Sequence, residues 1–213
     1  ALTLAQLCQA LIPLHPSEAA AVFLAQLPLL SDPPMVPGLG RKVLPFPCLA
    51  QLAVRIYAQT GDLEFLTEIF PHIQETCLAW FDPSLDRDQD GLPEWAVLAQ
   101  TGWNDHPTFN IFNPEHLATR IATTESFALG KMLVEELDAL QKIARIVGDQ
   151  VTLEHASALQ AKLTSQLEAI HTQFPEASCW DRDSHLLTSQ AVLFEGSIIE
   201  LGHQSLHLAQ AAR

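Results

Sequence analysis

Apolar residues recur at a spacing of three to four along almost the whole chain before residue 174, and this periodicity limits the fold more than any other feature. Leu2, Leu4, Leu7, Cys8, Leu11 and Ile12 make one such face, which Pro13 stops. "PSEAAAVFLAQLPLL" restarts it, with Ser17 as the expected N-cap, Glu18 in the first turn and Pro28 as the expected end. "CLAQLAVRIYAQTGDLEFLTEIFPHIQETCLAWF" reads as helix, tight turn, helix, because Gly61 can take the left-handed stop and Asp62 can cap the second helix. Turns this short make antiparallel neighbours. "PEHLATRIATTESFALGKMLVEELDALQKIARIVG" is helical for most of its length, with Thr123 or Thr124 expected to cap a second start. Residues 150–174 add a helix with Leu153, Leu159, Leu163, Leu167 and Ile170 on one side.

The expected class is therefore all-α, built from about six helices arranged as hairpins. From about residue 178 the pattern changes to β-branched residues, Gly and alternation, so short strands are expected near the C-terminus. The expected division is a helical-hairpin domain over 1–177 and an irregular, short-strand tail over 178–213. Two long loops interrupt the hairpins, "SDPPMVPGLGRKVLPFP" at 31–47 and the stretch that starts at Asp86. Long irregular loops inside a compact domain often line sites.

Composition narrows the partners. Of 213 residues 48% are hydrophobic and 17% charged, which supplies ample apolar surface for a core. The formal net charge of −14 argues against nucleic acid and against anionic membranes, both of which need basic patches. No apolar run reaches the ~18 residues of a membrane span, and residues 1–12 lack a signal-peptide pattern. Because the first residue is Ala, an upstream leader or further sequence is compatible with the chain. Cys8, Cys48, Cys77 and Cys179 are scattered among apolar residues without metal-ligand spacing, so buried free thiols and a reducing, cytoplasmic setting are expected.

The most unusual residues lie in "DRDQDGLPEWAVLAQTGWNDHPTF", 86–109. Asp86, Asp88, Asp90 and Gly91 occupy positions one, three, five and six of a calcium loop, with Leu92 as the position-seven carbonyl. The twelfth position is Val97 where a bidentate Glu is needed, so a complete EF-hand is excluded. Half a structural Ca²⁺ site remains, or an Asp-rich turn that caps its own backbone. Further on, Trp103, Asn104, Asp105 and His106 stand together before Pro107. Trp103 can give a sugar ring an apolar platform and desolvate a nearby carboxyl, which raises its pKa toward what a general acid needs. The same residues can equally cap a turn and fill a core. His106 could position a hydroxyl, and Arg41 with Lys42 is the basic pair in the other long loop. His72, His106, His116, His155, His171, His185, His203 and His207 show no HExxH or paired spacing, so a zinc site is not expected.

Taken in order, "YAQTGDLEFLTEIFPHI", "DRDQDGLPEW" and "QTGWNDHPTF" resemble the (α/α)6-toroid or six-hairpin glycosidases, the group of trehalases, processing α-glucosidases, mannosylglycerate hydrolases and glycogen-debranching-like enzymes. "TTESFALGKMLVEELDALQKIARIVGD" and "CWDRDSHLLT" resemble the helices and turn that come next in that group, so the likeness spans about residues 45–190. The resemblance implies an inverting hydrolase of an α-glucoside or similar sugar, whose general acid lies on the Gly-aromatic-Asp segment. The position directly after the aromatic residue is Asn104, and an amide is no proton donor, so Asp105 is the matching acid. If the acid belongs strictly at 104, the resemblance implies instead a binding-only or inactive relative; the competing expectation is a non-catalytic helical module that binds sugar or protein, with Ca²⁺ at the Asp loop as an optional stabiliser.

Inverting enzymes place a second carboxylate ~6.5–9.5 Å from the acid. The family's base lies on a later hairpin, so the resemblance implies a half-toroid with the base outside this chain. Glu94, Glu115, Glu125 and Glu195 match no base motif, and Glu115 after Pro114 suits a helix first turn.

Overall fold

The structure is a computed structural model that describes residues 2–31, 43–87, 89–101, 121, 124–173, 179–181 and 186–188. The fold is all-α, as the periodicity indicates. Six helices appear among the described residues: α1 Leu2–Leu11, α2 Pro16–Ser31, α3 Leu49–Thr60, α4 Leu63–Ala79, α5 Phe127–Val147 and α6 Gln150–Gln173. Consecutive pairs α1/α2, α3/α4 and α5/α6 pack as hairpins, and α5 also packs against α3 and α4.

The hairpin turns depend on single residues. Gly61 takes φ +63° and stops α3, while the Asp62 side chain accepts the Phe65 N–H and starts α4. Gly148 takes φ +83° and stops α5. The Asp149 carboxylate then accepts the Thr152 N–H and hydroxyl, and these bonds hold its pKa below the ordinary range. Each of these side chains satisfies an N–H that a helix start leaves orphaned.

Three local expectations need correction. Helix α2 starts two residues earlier than a Ser17 cap would place it: Pro16 occupies the first helical position and the Ala19 N–H bonds the His15 carbonyl. Proline suits that position, since its fixed φ is helical and the missing N–H would be unpaired anyway. Nor does Pro28 end α2, which runs on to Ser31. Phe23 and Leu27 in the preceding turn are buried, and their packing outweighs the one backbone bond that proline removes. Finally, α5 is capped by Ser126, whose hydroxyl accepts the Leu129 N–H, while Thr124 lies in a strand.

The expected short strands are present. β2 Cys179–Asp181 pairs antiparallel with β3 Leu186–Thr188, and on its other edge with β1 Thr124–Ser126 just before α5. The described part of the tail is thus hydrogen-bonded to the helical region.

The core is one cluster shared by all six helices. Cys8, Cys48 and Cys77 are buried free thiols within it, as expected. Burial pushes the Cys8 thiol up to about 11 and holds the Cys48 and Cys77 thiols well above the ordinary thiol range, so all three are neutral. No helix of the described residues is long and apolar enough to cross a membrane.

Candidate active-site loop

After α4 the chain must cross back toward α3, and it does so by capping itself repeatedly. Asp82 accepts the Ser84 N–H and opens a 3-10 turn at Pro83–Leu85. Asp86 Oδ2 accepts the Gly91 N–H at 2.9 Å, and Asp90 Oδ1 accepts the Leu92 N–H at 2.8 Å. Gln89 and Gly91 take φ values of +62° and +93°, which fold the turn tightly enough for those bonds. From α6 the Gln166 amide donates to the Asp90 carbonyl. Gly91 suits this turn because its left-handed conformation is one that glycine adopts freely. The Glu94 N–H to Leu85 carbonyl bond, at 2.7 Å, closes the loop.

Beyond this turn the loop becomes core. Trp95 stacks on Phe46 with ring centroids 6.1 Å apart and meets Trp80 edge-on at 5.5 Å. Glu94 is buried, and its carboxylate lies 4.0 Å from the Arg87 guanidinium. Gln100 then acts as a three-way tie. Its Oε1 accepts the N–H groups of Ala96 at 2.6 Å and Val97 at 3.1 Å, and its Nε2 donates to the Leu44 carbonyl at 3.0 Å. The side chain is 5% exposed, so each of these bonds is shielded from water and costly to lose.

Of the residues expected to carry chemistry, Asp86 and Asp90 come together across one turn, where both serve the loop's own backbone. Asp88, the third carboxylate of the expected cation set, lies outside the described residues, as do Arg41, Lys42, Trp103, Asn104, Asp105, His106, Glu115 and Glu195. Glu125 is in β1 opposite Trp180. His72, His155 and His171 are exposed on α4 and α6, and no group of three His, Cys, Asp or Glu side chains converges on a metal position among the described residues.

Sequence reasoning missed Gln100 and Glu136. Nothing around Gln100 distinguishes it from other glutamines. Glu136 did carry a signal, because it falls on the apolar face of α5 among Leu133, Leu137 and Leu140. Its carboxylate accepts the Ala50 N–H at 2.9 Å and the Gln51 N–H at 3.2 Å, capping α3 from 85 or more residues away. Burial pushes its pKa from 4.5 up to about 7, the two backbone bonds pull it back, and neighbouring Glu135 adds to the rise. Folding therefore favours the neutral acid: that stabilisation is complete below about 4.5 and is lost as the pH rises to about 7.

No protein-family model matches the chain, and no curated protein does. A solved structure, that of an uncharacterized conserved protein from Thermus thermophilus, is similar with a TM-score of 0.65 at 12% identity. The likeness covers 86% of this chain and 60% of that one, so the chain spans less than two thirds of its structural neighbour. At this identity it shows the fold alone.

Proposed function

We propose that the chain is part of a glycoside hydrolase of the six-hairpin kind, acting by inversion on an α-glucoside or similar sugar. Asp105 is the general acid, Trp103 the sugar platform, and Asn104, His106 and Arg41 bind hydroxyls. The base comes from outside this chain, whose described helices amount to three hairpins. The observation that carries the reading is the Gln100 tie. In sequence Arg41 precedes Leu44 by three residues and Trp103 follows Gln100 by three, and the buried Gln100 side chain joins Gln100 to Leu44. General acid catalysis needs its donor held against a positioned substrate, and loops supply such groups when their roots are rigid. The all-helical hairpin fold and the order of the three sequence motifs support the same reading.

Calorimetry of the protein at its natural length with a panel of α-linked glucosides tests it. Continuous heat from turnover is expected with at least one of them. Saturable binding without turnover would instead favour the non-catalytic module that Asn104 suggests. Absence of both would remove the sugar.

Ca²⁺ at Asp86, Asp88 and Asp90 belongs to the same proposal, as a brace for a loop that its own caps already fold. Free Ca²⁺ at ~100 times its Kd stabilises the folded state by ~2.7 kcal/mol. A rise of several degrees in Tm on adding Ca²⁺, reversed by chelator, is expected, and an unmoved Tm removes the cation.

A further inference from the structure

The carboxyl of Glu136 does more than cap α3. It lines a small pocket of about 10 Å³ between residues 46–49, α4 and α5, which Thr76, Trp80, Cys48 and Cys77 also line. The Thr76 hydroxyl and the Trp80 indole N–H are both buried, and neither has a hydrogen-bond partner among the described residues. Leaving a buried donor unpaired costs ~1–3 kcal/mol, and native proteins rarely do so twice in one place. Room for one probe sphere and two to four polar partners are the requirements of an internal water, and this cavity meets both.

We propose that this cavity holds one internal water that accepts from Trp80 Nε1–H and bridges Thr76 Oγ1 to the Glu136 carboxyl, locking the start of α3 to α4 and α5. A cation is the wrong occupant, because the indole presents a donor and the flanking Cys48 and Cys77 thiols are held neutral. An apolar occupant would leave the same orphans. Water suits both charge states of the acid. When Glu136 is ionised, the water donates to it, using a lone pair that Ala50 and Gln51 leave over. When Glu136 is protonated, its O–H donates to the water, which turns to donate to Thr76, whose hydroxyl rotates freely about Cβ–Oγ. The groups that titrate or carry charge around it are few. Cys48 at the start of α3 and Cys77 on α4 line the cavity, Glu135 is next along α5, and no Lys, Arg or His is among the lining residues.

The test is nuclear magnetic resonance on the ¹⁵N-labelled protein, with the Trp80 indole resonance assigned by its loss in Trp80→Phe. A cross-peak from that N–H to a long-lived water is expected, together with a single pH titration of its shift near the Glu136 midpoint of about 7. Glu136→Gln should abolish the titration and keep the water. Thr76→Val preserves shape and separates water from hydroxyl: the cross-peak should persist, and the midpoint should rise by about half a unit as the charged form loses support. This second variant also covers the case in which Glu136→Gln fails to fold. No water cross-peak in the wild type, its loss in Thr76→Val, or a titration that survives Glu136→Gln would each overturn the proposal.

Discussion

Trp80→Ala is expected to destabilise the fold by about 3–5 kcal/mol, the range for truncating a large aromatic in a well-packed core. Trp80 is 1% exposed and ends α4, so its ring is shared by three groups of neighbours. One is Trp95, met edge-on at 5.5 Å, an arrangement worth about 0.5–1.5 kcal/mol beyond area burial. Another is the cavity beside Glu136 and Thr76, which the truncation would enlarge. The third is the remainder of the core cluster. Through Trp95 the loss reaches Phe46, and so both roots of the loops that Gln100 ties together. The urea midpoint should fall accordingly, while Leu14→Ala, at a position 77% exposed, should stay within about 0.5 kcal/mol of the wild type. A Trp80→Ala loss below about 1 kcal/mol would show that the aromatic cluster is peripheral to stability.

Much of the fold was legible because helices announce themselves locally. The apolar spacing, the stop at Gly61 and the cap at Asp62 are properties of a few neighbouring residues, and the structure uses them as the sequence suggests. The misplacements have separate causes. At Pro28 the local penalty is real, yet Phe23 and Leu27 bury themselves in the turn before it, and that burial depends on partners distant in sequence. At Ser17 the hydroxyl offered a cap, but proline one residue earlier is already pre-shaped for the first turn. Thr124 lost the capping role to Ser126 because residues 124–126 first pair as a strand with 179–181, across more than fifty residues, so that the helix starts only at Phe127.

The candidate site was legible in a different way. The Asp-Gly turn could be read as a turn, since each Asp bonds an N–H two to five residues on. That Gln166 on α6 would bond the Asp90 carbonyl could not, because nothing near residue 166 mentions the loop. Gln100 and Glu136 act across 56 and 86 residues, and side-chain bonds of that span leave no periodic trace. Glu136 is the instructive case: an acid on an apolar helix face must find donors elsewhere, and the uncapped start of α3 provides them.

The largest functional effect is expected at Asp105. Asn has nearly the shape of Asp but no acidic proton, so on the proposed function Asp105→Asn should remove general acid catalysis and spare sugar binding by the neighbouring residues. Such a loss lowers kcat/KM by about 10²–10⁴-fold. It should spare glycosyl fluorides, whose fluoride leaves without protonation. Sugar affinity by calorimetry should change little, since the lost interaction belongs to the transition state. The direct measurement is kcat/KM of wild type and Asp105→Asn, at natural length, on a natural glycoside and on the matching glycosyl fluoride. A fall of about 10²-fold or more on the glycoside alone is the predicted result. Equal rates for the two proteins on the glycoside would contradict the assignment of Asp105 as the acid.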